Sequence, residues 1–501
     1  MRRVQVQEQS ITARIPPPVS SASLSLATVS AIALSYIRAK IGTHAATAVF
    51  TLFSLAFGSA IVFIVPPLRG PDEIAHFLRI YSYTRGELLP SAELNGRKGV
   101  MVERELYNKL QFFRTAGEWF ATAREQGLRY GQIMPLYQHF IVPVEEETDD
   151  AVVFAAFAGT EGYNPVAYTP YVLAAVIGFK LDFPHLLLLM RLLGLVTFTA
   201  VAAYAITVTP ILKWPFVLIA LLPVSLYNRS VLSADGAALS SALVITALSL
   251  RAASGRAVQP WKRSLWMTLC ALSKQPQIIF VLLEFMVYPL KELSRRWRNV
   301  AIVVLPCLVL SPLWVMAVSA EIAAWRLQLE EHHPPEHFDP VWKLLYMWEH
   351  PSHFPLAAWR ALSGWWYRLW QELIGILGWQ DILLQPWTYV LLTLCLVLLP
   401  LQKLQLDDRT RARVMVITGL TVLGYVVFVY LIFFLTYTPL DIDHVRGVQG
   451  RYFTIVLPVA AIFIAAVINL EVPGGLNPWL ATLAAMVSGV VTVEALFQAH
   501  W

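Results

Sequence analysis

The chain has 501 residues, 57% of them hydrophobic and 14% charged, with a mean hydropathy of +0.57. That excludes a soluble domain and marks a polytopic helical membrane protein. The net charge of +5 comes without any Arg/Lys stripe interleaved with aromatics in a polar segment, so a nucleic-acid partner is excluded as well.

Residues 1–18 are polar, carry Arg2, Arg3 and Arg14 and end in three prolines, and 19–37 are rich in Ser and Ala. This is not the pattern of a secretory signal peptide, and 1–43 reads as a cytoplasmic tail with a surface helix. Apolar runs of spanning length follow near 44–65, 185–207, 214–231, 234–252, 299–318, 387–402, 412–435, 452–470 and 478–496. Two half-length runs, 264–273 and 277–290, flank Ser273-Lys274-Gln275-Pro276. Basic clusters at Arg38/Lys40, Lys213, Arg251 to Arg263, Lys291 to Arg298 and Lys403 to Arg413 fall on one side when about eleven spans alternate, and that side is expected to be cytoplasmic.

The expected fold is therefore an all-α polytopic membrane protein of about eleven transmembrane helices. Its parts are a core over 44–318 with an external loop at 66–184, a second external loop at 319–386, and a C-terminal bundle over 387–501. Pro165 to Lys180 is apolar but short of a span, which suits a juxtamembrane or re-entrant helix at the outer boundary. The Trp-rich stretch from Trp342 to Trp379 suits amphipathic helices on the outer leaflet. Cys270, Cys307 and Cys395 sit in apolar runs without metal or redox spacing and read as buried small hydrophobes. The acidic run Glu145 to Asp150 reads as a solvated loop. In Glu330 to His337 the prolines argue against one regular metal-ligand face.

Charge at a membrane boundary is costly and for that reason informative. Pro71-Asp72-Glu73-Ile74-Ala75-His76-Phe77-Leu78-Arg79 follows the first apolar run directly. In a helix, positions 72, 76 and 79 share one face. Helix capping accounts for one carboxylate but not for the adjacent pair with His76 and Arg79. Ser233-Ala234-Asp235 forms a turn between two apolar runs, where Asp235 serves equally well as a cap or as a ligand. Lys274 sits between two half-length segments; a broken helix in a bilayer tends to line a cavity, and a lysine there needs an anion or a carboxylate. Gln449-Gly450-Arg451-Tyr452-Phe453 precedes a span: the glycine admits close approach, and Arg451 near a helix start suits phosphate. Gly162-Tyr163-Asn164-Pro165 and Tyr168 open the short apolar helix, and their side chains suit either sugar hydroxyls or an aromatic belt.

Together these residues resemble the GT-C superfamily of integral-membrane glycosyltransferases, in which acidic residues open the first external loop, as Asp72-Glu73 do here, and a juxtamembrane helix follows. The chain is also similar to a bacterial membrane-protein family in four ordered motifs: Pro71-Asp72-Glu73 with His76 and Arg79, Ser233 to Asp235, Lys274-Gln275-Pro276, and Gln449 to Phe453. The resemblance implies sugar transfer from a polyprenyl-phosphate donor to a cell-envelope glycan or lipid acceptor, on the external face of the bacterial inner membrane and with inversion. Asp72 is then expected to be the general base, with Glu73 beside it. Lys274, Arg451 and Arg191 are expected at the donor phosphate. His76, Arg79, Tyr163, Asn164, Tyr168, Asp235, Gln449 and Tyr452 are expected at the sugar or acceptor. Relatives that use lipid diphosphates need a divalent metal; Asp72 and Glu73 are the only ligands in view here, so metal use stays open. The alternatives are a transporter or flippase of lipid-linked sugars, which would carry its charges near the midplane, and a non-catalytic envelope-assembly subunit.

Overall fold

The computed structural model describes residues 26–125, 127, 128, 132, 151–329, 335–470 and 476–501. The acidic run at 145–150 and His332-His333 lie outside them. The chain divides into units Met1–Ala45 and Ala46–Trp501. The described part of the first is helical and opens the helix Leu26–Ile64; the second holds all the elements that follow.

Among the described residues seven helices are long and apolar enough to cross a membrane: His44–Ile64, Phe183–Val208, Asp235–Ala253, Trp297–Val318, Asp408–Thr436, Gly450–Ile468 and Leu476–His500. The count of eleven is not reached, and proline is the main reason. The run at 214–231 is two helices of eight residues, Lys213–Ala220 and Pro223–Ser230. Leu222, held extended before Pro223, interrupts the helix, and each piece is only about 12 Å long. The run at 387–402 gives a helix of 13 residues, Pro386–Leu398, too short for a bilayer core of about 30 Å. Around Lys274 the chain makes the helix Pro260–Ser273, then a nine-residue 3-10 helix, Gln275–Leu283. The segment expected to be juxtamembrane is the 13-residue helix Pro165–Ile177, started by Pro165 and capped by Asn164.

The segment 66–184, expected as an external loop, is not purely helical. Strands β1 (Ala92–Leu94), β2 (Arg97–Glu103) and β3 (Val152–Ala156) form an antiparallel sheet in the order β1-β2-β3. Asn95 and Gly96, both at positive φ (51° and 75°), make the two-residue turn between β1 and β2. Asn-Gly is the preferred pair for such a turn, so this hairpin was readable in the sequence. A second hairpin pairs β4 (Ile376–Leu377) with β5 (Ile382–Leu383).

The helices Pro340–Glu349 and His353–Gly375 expose Trp348, Trp359, Trp365 and Trp366 while Ala357, Ala361 and Leu369 are buried, so each carries an apolar outer face and a packed inner one. Buried Lys343 donates to the carbonyls of Phe434, Leu435 and Thr438 at 2.7, 3.1 and 2.6 Å, tying this layer to the C-terminal end of the Asp408–Thr436 helix. The three cysteines are buried and unpaired with one another.

Candidate functional site

Three chain irregularities converge. Asp72 precedes the helix Glu73–Thr84 in the left-handed region, at φ 54° and ψ 22°, and its side chain makes no capping bond. Strain of that kind in a non-glycine residue is often kept for a purpose. Lys274 is the extended residue between the Pro260–Ser273 helix and the 3-10 helix. Arg451 stands at the second position of the 3-10 helix Gly450–Val456.

These breaks bring two cations and two carboxylates together. Lys274 Nζ forms an ion pair with Asp235 Oδ1, and Arg451 Nη2 lies 3.6 Å from Asp72 Oδ2. Both cations lie on the Tyr452 ring, 5.0 Å (Lys274) and 5.5 Å (Arg451) from its centroid. Asn228 Nδ2 donates to Asp235 Oδ2 at 3.1 Å, and the Ser233 hydroxyl accepts the Asp235 N–H at 3.0 Å. The Asp235 carboxylate is therefore a ligand to Lys274 rather than a cap. The Asp72 side chain is half exposed, against 14% for Arg451.

Glu73 has a different place from the one expected. It is fully buried and accepts from Arg191 Nε at 2.8 Å and Nη2 at 2.6 Å, from Gly70 N at 3.0 Å and from Leu232 N at 3.0 Å. Arg191 spends its remaining N–H groups on the carbonyls of Val65 at 2.6 Å, Val62 at 3.3 Å and Pro66 at 3.0 Å. Neither side chain turns to the cleft. The pair joins the end of the first span, the Phe183–Val208 helix and the Val231–Asp235 turn, which corrects the expectation of a catalytic Glu73 and a phosphate-binding Arg191.

Other expected ligands are also taken up by the fold. Arg79 is buried, stacked 4.3 Å from the Tyr83 ring centroid, and donates to Leu88 O at 2.9 Å and Ser82 Oγ at 3.2 Å. Tyr168 is buried, and its hydroxyl meets His76 Nδ1 at 2.6 Å. Asn164 Oδ1 accepts from Val166 N at 3.0 Å as a helix cap. Gly450 approaches protein rather than ligand: a side chain there would run into the Leu369 carbonyl, and its N–H donates to Glu372 Oε2 at 2.6 Å. That N–H is thus unavailable to an anion beside Arg451. Gln449 Oε1 is buried and makes no hydrogen bond among the described residues.

His76 sits under the charged cluster. Burial pushes its pKa down to about 4, with Asp72 and Asp235 pulling it up and Lys274 and Arg451 pulling it down. The Tyr163 ring packs on His76 at 5.5 Å, and burial raises its phenol pKa.

Lys274 and Tyr452 open onto a cleft of about 210 Å3. Its polar end holds Tyr163, Asn164 and Ser273; its walls include Trp314 and Val315 on one long helix and Val429, Ile432 and Phe433 on another. Trp314 Nε1 donates to Gly162 O at 2.9 Å, and Tyr425 OH to Tyr452 O at 3.0 Å, fixing both walls to the polar end. The sequence reading missed Asn228 as the partner of Asp235 and Trp314 as a wall; a Trp well inside an apolar run was the one available signal.

The family described as "Predicted membrane protein (DUF2142)" matches residues 55–462. The chain belongs to this family. The matched DUF2142 stretch holds Asp72, Asp235, Lys274 and Arg451, so the whole cluster lies within the family's common region. No curated protein and no solved structure matches the chain. Among the described residues, no group of three or more His, Cys, Asp or Glu side chains could hold a metal ion, so the present donor set does not fit a tightly bound divalent cation. His337 of the His-rich run pairs instead with Asp441, at 3.2 Å.

Proposed function

We propose that the protein is a GT-C-type glycosyltransferase, which moves a sugar from a polyprenyl-phosphate donor to an envelope glycan or lipid on the external face of the bacterial inner membrane. The observation that carries this reading is that Lys274 and Arg451, paired with Asp235 and Asp72, share the Tyr452 ring, and that Lys274 and Tyr452 line a cleft with largely apolar walls. An isoprenoid tail fits the apolar walls, and a phosphate fits the paired cations.

Each cation already has a carboxylate, and the four charges cancel. A phosphate on Arg451 competes with Asp72 for the guanidinium and adds negative charge beside it. Asp72 then takes the proton of an acceptor hydroxyl. The acceptor oxygen bonds to the anomeric carbon from the side opposite the phosphate, the carbon–oxygen bond to phosphate breaks, and polyprenyl phosphate leaves with inversion. Lys274 and Arg451 offset the charge that builds on the leaving oxygen.

The test uses purified protein in nanodiscs, a radiolabelled polyprenyl-phosphate sugar and a panel of acceptors. Asp72→Asn is expected to lower turnover by about 10²–10⁴-fold while donor binding persists. Arg451→Ala is expected to raise the donor KM more than the acceptor KM. Undiminished turnover by Asp72→Asn removes Asp72 from the base role. Donor movement across the bilayer without any transfer would favour a carrier of lipid-linked sugars.

A further inference from the structure

The turn that carries Arg451 is held by a helix outside its own segment. The helix His353–Gly375 runs beside the chain that leads to it: the Ala357 carbonyl accepts from Val445 N at 3.2 Å, and near the helix C-terminus Glu372 Oε2 accepts from Gly450 N at 2.6 Å. Gly450 opens the 3-10 helix in which Arg451 is second, so its N–H is one of those that a helix start leaves without an internal partner. Glu372 supplies the missing acceptor from another helix. A side chain at position 450 would meet the Leu369 carbonyl and Glu372 Cβ, so glycine is what lets the turn lie close enough for this bond.

Glu372 is only 6% exposed, and a carboxylate buried there needs compensation. Its other oxygen accepts from Arg368 Nε at 3.1 Å, and Arg368 Nη2 goes on to the Gln380 carbonyl at 2.7 Å. Gln380 lies in the turn of the β4–β5 hairpin. The next residue, Asp381, places Oδ2 3.7 Å from Nη2 of Arg69, which precedes Asp72 by three positions. One continuous stretch, 353–383, thus holds the Arg451 turn and also reaches the Asp72 segment.

We propose that Glu372 is a positioning residue, which through the Gly450 N–H sets where the Arg451 guanidinium stands relative to Asp72. Arg368 holds the Glu372 carboxylate for that bond. The consequence for sugar transfer rests on the function proposed above; the placement of Arg451 does not.

The first experiment reads the placement without turnover. Full-length protein in nanodiscs is treated with phenylglyoxal, which modifies accessible guanidinium groups, and the modified arginines are mapped by mass spectrometry. Glu372→Ala frees the turn and is expected to raise modification of Arg451 by about threefold or more, through local opening. Arg191 and Arg79, held by other partners, are expected to stay unchanged. Gly450→Ala, which pushes the turn away from Leu369, is expected to give the same pattern and serves where Glu372→Ala does not fold. Glu372→Gln combined with Arg368→Ala keeps one oxygen for the Gly450 N–H with no competing donor, and should return Arg451 modification to within about twofold of native. Native-level modification of Arg451 in either disrupting variant, in protein that still melts cooperatively, overturns the proposal.

In the transfer assay Glu372→Ala is expected to raise the donor KM about tenfold and to leave the acceptor KM within about twofold, with the Gln/Ala double variant restoring the donor KM. A fall in kcat alone, with the donor KM unmoved, would mean less folded enzyme rather than a misplaced guanidinium, and would also overturn it. Absence of transfer with any acceptor, while the arginine pattern holds, would sink the glycosyltransferase reading and leave the positioning of Arg451 standing.

Discussion

Asp72 and Glu73 are neighbours in the chain and have opposite fates. Glu73 is fully buried and accepts four N–H bonds, close to all that a carboxylate can take. Asp72 has a half-exposed side chain, a single 3.6 Å approach from Arg451, and a left-handed backbone. One carboxylate is spent on joining three segments, and the other is held in a strained conformation with its lone pairs largely unused. Residue type does not distinguish a structural acid from a reactive one; the number of donors already satisfied does.

The sharpest way to break this contrast is to remove the sealed pair. Glu73→Gln or Arg191→Met leaves one buried charge uncompensated and should cost about 3–5 kcal/mol of stability. Asp72→Asn should cost less than about 1 kcal/mol, because its side chain is half exposed and meets Arg451 only at 3.6 Å. Denaturant titration in detergent measures both, and equal losses would erase the distinction.

Acid sharpens it from the other side. The imidazole of His76 has a lowered folded pKa, about 4 against an ordinary 6.5, so the unfolded chain binds the extra proton first. Its contribution is complete above pH 6.5 and is lost as the pH falls toward 4, by on the order of 3 kcal/mol at most. Asp72 and Asp235 face it as carboxylates, Lys274 and Arg451 as cations, and Tyr168 as its hydroxyl partner. A stability–pH profile of His76→Gln should be flatter than that of the unmodified protein across this window; superimposable profiles would assign the acid loss to other groups.

The smallest effect concerns the backbone. Asp72→Gly removes the side-chain penalty of the left-handed conformation, partly offset by the greater freedom of glycine in the unfolded chain. Stability should stay within about 1 kcal/mol of the native value or rise slightly, while turnover is lost. A melting-temperature comparison with Asp72→Asn tests it: a clear drop for the glycine variant alone would mean that the strain reading is wrong.

Much of the architecture was legible in the sequence. The long apolar runs, the short helix opened by Pro165 and the interruption at Lys274-Gln275-Pro276 follow from hydrophobic length and proline geometry, which act locally. Pro223 and the Asn95-Gly96 turn carried equally local signals, and they account for the split run at 214–231 and for the hairpin that an all-α reading overlooks. Four of the charged positions singled out, Asp72, Asp235, Lys274 and Arg451, do come together, because charge at a membrane boundary is tolerated only with a partner.

Partner choice was decided by tertiary structure. Arg191 and Arg451 are the same residue beside similar apolar runs, yet one closes on Glu73 from 118 positions away and the other leans on Asp72. Gly450, which reads as room for a ligand, is room for the Leu369 carbonyl. Composition and periodicity determine which segments leave water and where the helices must break, since those are properties of neighbouring residues. Which cation remains open to a ligand depends on which acceptors lie within about 3 Å once the helices have packed, and a linear pattern of residues carries no such distances.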